Sequence, residues 1–77
     1  MAITFERDQA RFTDTVSVDE AEVLIAWLHE NPEPKLDLEA CTHIHAAALQ
    51  VLMAARVPVA TWPHDPAFAA WLHSALT

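Results

Sequence analysis

The spacing of apolar positions changes along the chain, and each change marks an element. Over residues 2–7, Ile3 and Phe5 alternate with polar neighbours, the period of a strand with one buried face. Asp8 and Gln9 are placed to turn the chain. Residues 11–16 then carry Phe12 among β-branched side chains, a second strand close enough to the first for a hairpin. Ser17-Val18-Asp19-Glu20 has capping-box spacing, with the Ser17 hydroxyl accepting from the Glu20 amide and the Glu20 carboxylate reaching back to the Ser17 amide. Ala21, Leu24, Ile25 and Leu28 follow at i, i+3, i+4 and i+7, one stripe of an amphipathic helix. That helix stops at or before Asn31, because Pro32 disfavours helical geometry in its predecessor. Glu20, Glu22 and Glu30 read as its solvated face.

The chain is organised around residues 35–52. Leu36 and Leu38 alternate with charged residues as in a half-buried strand, whereas Ala48, Leu49, Leu52 and Met53 recur at helical spacing. A strand therefore turns near Thr42 to His45 and feeds a helix over residues 46–55. The connecting loop lies at the carboxyl end of the strand, where open α/β sheets place their working surface. Residues 57–61 read as a short strand, with Pro58 suited to its start or to an edge. Asp65-Pro66 gives an N-cap and a first-turn proline. Phe68, Ala69, Leu72 and Leu76 supply the packing face of a last helix, with Trp71 and His73 off that stripe. The order β-β-α-β-α-β-α predicts one small α/β domain over residues 1–77, with a mixed four-stranded sheet largely covered by three helices.

Composition narrows the function. Seventy-seven residues make one domain, and the 53% apolar fraction supports a packed core. Net charge is −7, and the four basic residues Arg7, Arg11, Lys35 and Arg56 are scattered. That argues against nucleic acid, which needs clustered cations, and against an anionic membrane surface. Cys41 is the single cysteine, so an internal disulfide is excluded and a reducing compartment fits. The start of the chain does not resemble a secretion signal, and no apolar run approaches the roughly 20 residues of a membrane span. These features imply a cytoplasmic protein. Glycine is absent. Phosphate-cradling glycine loops are thereby ruled out, and positive φ falls to Asn, Asp or His.

Residues 36–52, Leu-Asp-Leu-Glu-Ala-Cys-Thr-His-Ile-His-Ala-Ala-Ala-Leu-Gln-Val-Leu, resemble the signature of STAS domains, which reads roughly Leu-Asp-Leu-Ser-Gly-Val-x-x-Ile-Asp-Ser-Ser/Ala-Gly-Leu. The family includes bacterial anti-sigma factor antagonists, cytoplasmic tails of sulfate transporters, and a small subunit of a phospholipid transport complex. The element order also fits. Position by position, the family's aspartate falls on His45, its phosphorylatable serine or threonine on Ala46, the next small residue on Ala47, and its glycine on Ala48. The resemblance implies a STAS-like fold and a protein-binding role, without the phosphate switch that a hydroxyl at a helix N-terminus provides. Thr42 is the nearest hydroxyl.

The expected function is non-catalytic protein–protein recognition in bacterial signalling, with a kinase-like anti-sigma factor or another signalling protein as partner. Its surface is expected at His43, His45, Ala46, Ala47 and Gln50, where small side chains allow close approach and helix amides can receive a carboxylate. The alternative is a structural subunit of a larger assembly, such as a lipid-transport complex. Interface size separates the two, because transient contacts are smaller and more polar than obligate ones. A third reading is a metal site through Cys41, His43 and His45 with His64 as fourth ligand. Against it, Cys41 packs inward and the histidines stand on the loop surface. The spacing calls for no cofactor. No nucleophile or orienting carboxylate accompanies the histidines, so no enzyme is expected, and His43 and His45 suit a pH-sensitive contact instead. Trp27, Trp62 and Trp71 read either as core or as partner contacts.

Overall fold

The computed structural model describes residues 2–76. Its elements run β1 (Ile3–Phe5), β2 (Gln9–Val16), α1 (Glu20–Glu30), β3 (Lys35–Ile44), α2 (Ala46–Ala55), β4 (Val59–Thr61) and α3 (Pro66–Leu76). The four strands form one mixed sheet in the order β1-β2-β3-β4. β1 and β2 make the expected antiparallel hairpin, with Ile3 opposite Phe12 and Phe5 opposite Ala10. Its turn closes through the Glu6 amide on the Gln9 carbonyl, 2.8 Å, so Gln9 already belongs to β2. β2–β3 and β3–β4 are parallel. Each needs a crossover helix, and the sequence supplies α1 and α2 in those places.

The helices cover one face of the sheet. Crossovers that step in one direction across a sheet carry their helices to the same side; α1 packs on α2, and α2 touches α3. Phe12, Val16, Leu24, Leu36, Leu38, Leu52 and Leu72 are fully buried in one core. The opposite face is open, which corrects the expectation of a sheet largely covered. It carries Arg11 between Glu6 (3.1 Å) and half-buried Asp37 (3.5 Å); the exposed pair with Glu6 is worth about 0–1 kcal/mol.

Three side-chain placements depart from the sequence reading. Ile25 and Met53 sit on the apolar stripes of α1 and α2, yet they are 42% and 46% exposed, because the neighbouring elements leave grooves beside them. Glu20 is 6% exposed, not part of a solvated face. Its Oε1 accepts from the backbone N–H of Ala2 (2.7 Å) and Ile3 (3.0 Å). Its Oε2 accepts from the Ser17 amide (2.9 Å) and the Ser17 hydroxyl (3.4 Å). Only the reaching-back half of the capping box forms; the hydroxyl donates to the carboxylate, and Asp19 is the N-cap residue.

Burial alone raises the Glu20 carboxyl, but the hydrogen bonds from Ser17, Ile3 and Ala2 overcome it and the net shift is downward. A carboxyl with a depressed folded pKa contributes stability above its ordinary value near 4.5 and loses it as pH falls through the folded value. Glu20→Gln turns one acceptor into a donor among these amides and is expected to destabilise the fold by roughly 2–3 kcal/mol at pH 7. In denaturant titrations the gap between wild type and variant is expected to narrow as pH drops below about 4.5. A gap independent of pH would mean that the carboxylate charge is immaterial.

Candidate functional site

The carboxyl end of β3 is shaped by two bulges. Arg11 pairs with Asp37 and Thr13 with Ala40, then Asp14 with Cys41 and Thr15 with His43, so β3 twice spends one residue more than β2. A bulge moves the following side chains to the other face. The inward positions therefore run Leu36, Leu38, Cys41, Ile44, while Ala40, Thr42 and His43 are exposed. Asp14 takes a left-handed φ of 52° between the two shifts, a conformation aspartate tolerates better than most residues.

These insertions carry the strand to Ile44, past the turn expected at Thr42 to His45. The connection is the single residue His45. Its amide donates to the Val16 carbonyl at 2.9 Å, tying the junction to the end of β2. Its backbone stays extended (φ −63°, ψ 145°), and its Nδ1 accepts from the Ala47 amide at 3.0 Å. His45 is thus the N-cap of α2, doing with imidazole what Ser, Thr, Asp or Asn usually do. With Nδ1 as the acceptor, Nε2 is the ring nitrogen that can donate. The cap also occupies one of the helix amides expected to meet a partner's carboxylate.

The five expected surface residues divide into two groups. His43, His45 and Ala46 are exposed at the junction. Ala47 and Gln50 lie one turn along and line a groove of about 570 Å³ between α1 and α2. Ile25 and Leu28 form its other wall, and Val51 and Ala54 continue it along α2. Sequence reasoning missed this groove because both walls lie on helices whose apolar residues were assigned to the core. The available signal was the alanine content of α2: side chains too short to reach α1 leave a channel.

The metal constellation does not assemble. Cys41 is buried, and its thiol donates to the His43 carbonyl at 3.5 Å. His43 points out of the sheet and His45 caps α2. Exposed His64 contacts Glu39 at 3.3 Å. Among the described residues no group of three His, Cys, Asp or Glu side chains could hold a metal ion. Burial pushes the Cys41 thiol up to about 11, with Asp14 adding to the rise and the His43 contact opposing it. The Trp27 ring packs at a tilt against Phe5 (5.4 Å, 35°) and the Trp62 ring against His73 (5.2 Å, 49°), while Trp71 is 53% exposed.

No family model, curated protein or solved structure matches the chain. No helix among the described residues is long and apolar enough to cross a membrane.

Two measurements check the junction. His45→Ala is expected to cost about 1 kcal/mol in denaturant unfolding, and His45→Asn to restore most of it. Equal losses in both would show that the imidazole cap contributes nothing. At pH 8 the protonated, buried Cys41 is expected to react with a thiol-specific disulfide reagent only as fast as the protein unfolds. A rapid reaction in native buffer would contradict its placement in the core.

Proposed function

We propose that this chain is a non-catalytic, STAS-like protein-recognition module of bacterial cytoplasmic signalling, with its partner seated on the β3–α2 junction. The observation that carries this reading is the continuity of the surface. Exposed His43, His45 and Ala46 run directly into the apolar α1–α2 groove through Ala47 and Gln50. α2 has no charged residue, so a partner meets small side chains and apolar walls, and contact is governed by shape and burial rather than ion pairing.

The resemblance of residues 36–52 to the STAS signature supports the partner class, a kinase-like anti-sigma factor or a related signalling protein. Ala46 stands where the family carries its phospho-acceptor, so the module binds without phosphate control at that position. A regulator of this kind is held by the abundance or state of its partner.

The test is affinity capture from the source organism with wild-type and Ala47→Glu protein, read by mass spectrometry. Glutamate in the first turn is compatible with the helix dipole, so the fold is expected to persist, checked by circular dichroism. It also places bulk and charge at the mouth of the groove. A kinase-like or sigma-pathway protein is expected on the wild type and absent from the variant. Equal capture by both would overturn this placement of the interface. Transporter subunits recovered in fixed ratio would make the chain an assembly component.

A further inference from the structure

Charge is divided unequally along this chain. Of the eleven acidic residues, only Asp65 lies beyond Glu39, and the only basic residue beyond it is Arg56. The fold converts this into a surface asymmetry, because α2, β4 and α3 contain no Asp, Glu, Lys or Arg within their bounds. On that side Met53 and Trp71 are about half exposed. A groove of about 560 Å³ runs among the end of α2, β4 and the end of α3, walled by Met53, Val59, Trp62 and Ala75, with Arg56 the one charged side chain among its described lining residues. Trp71 and Ala75 are one helical turn apart and share a face of α3. The Trp71 ring lies nearly parallel to Phe68 (6.2 Å, 18°), which fixes its direction. A projecting indole and a receiving groove therefore belong to one surface.

We propose that this face is a self-association surface whose occupant is a second copy of the chain, related by a twofold axis. Two observations select a second copy. A surface that carries both knob and groove is complementary to itself, as a twofold contact requires, each Trp71 entering the other copy's groove. Two molecules of net charge −7 also repel at every approach that opposes carboxylates, whereas the described lining of this groove carries a single charge, the cation Arg56. Backbone pairing across β4 is not the route, since Pro58 and Pro63 flank a strand of three residues. The contact uses side chains. Because each copy carries a net charge of −7, long-range repulsion opposes the contact and the dimer is weak and reversible. The groove lies at the carboxyl end of α2, and the His45 junction at its amino end stays open.

Sedimentation equilibrium of the full chain from about 10 to 500 μM, in about 50 and 500 mM sodium chloride, tests the proposal. A monomer–dimer equilibrium is expected that tightens at the higher salt, where repulsion between the copies is screened. Trp71→Glu is expected to weaken it about tenfold or more with unchanged circular dichroism. Met53→Glu, on the groove wall, does the same should the tryptophan variant fold poorly. Ile25→Glu, in the α1–α2 groove, leaves the equilibrium unchanged. A monomer throughout this range at both salts overturns the proposal. So does a dimer that survives folded Trp71→Glu or Met53→Glu, or one that Ile25→Glu dissolves.

Discussion

The carboxylate of Glu20 holds together three places that have no other reason to meet. It sits in the first turn of α1, yet it accepts the amides of Ala2 and Ile3, where edge strand β1 begins, and the amide of Ser17, just past the end of β2. A buried N–H without an acceptor costs about 1–3 kcal/mol, so these amides need such a group once the chain packs here. The consequence reaches the candidate site. Ser17 follows Val16, and the Val16 carbonyl receives the His45 amide. Strand β2 thus ends at one height, set on one side by Glu20 and read on the other by the residue that caps α2. Two hydrogen bonds and one peptide link connect the Glu20 carboxylate to the β3–α2 junction.

The absence of glycine imposes the second constraint. Helices often end on a glycine or asparagine in the left-handed region; α2 ends instead on Arg56, at φ 53°, whose amide still closes on the Leu52 carbonyl at 3.0 Å. A non-glycine residue there costs about 1–2 kcal/mol, and the closed hydrogen bond together with the burial of Val57 directly after it offsets that cost. In β3 the chain adjusts by insertion rather than by a glycine turn. Two extra residues rotate Cys41 and Ile44 inward and His43 outward, and they carry the strand to the doorstep of the helix.

The element order, the hairpin, both parallel crossovers and the packing face of α3 were legible in the sequence because each follows from a local period. Leu36 and Leu38 mark a strand, and Leu49 and Leu52 a helix, whatever surrounds them. The role of His45 as a cap was not legible, because imidazole seldom serves there and only the three-dimensional path brings Nδ1 to the Ala47 amide. The bulges were invisible for a related reason: they are properties of the pairing between β2 and β3, not of either strand. Glu20 had the right partner in Ser17 at capping-box spacing. Its contacts with Ala2 and Ile3, some eighteen residues away, depend on tertiary folding. The same holds for Ile25 and Met53. Periodicity identifies an apolar stripe but not whether its neighbour is long enough to cover it, and alanine-rich α2 is not.

The alanines of α2 connect the two ends of the molecule. A surface helix usually carries charges on its outer side and large apolar residues within. In α2 the inner side is filled by Ala48, Leu49 and Leu52, while its flanks hold Ala47, Val51 and Ala54, without a single charge. Such a helix leaves a groove on either side, one against α1 and one against the end of α3. Its length of about 15 Å separates the cap at His45 from the left-handed end at Arg56. The eleven carboxylates lie almost wholly on the earlier elements, so the side built from α2, β4 and α3 is nearly without charge. The proposed recognition at one end of α2 and the proposed self-contact at the other are compatible, because each uses a groove that the other leaves empty.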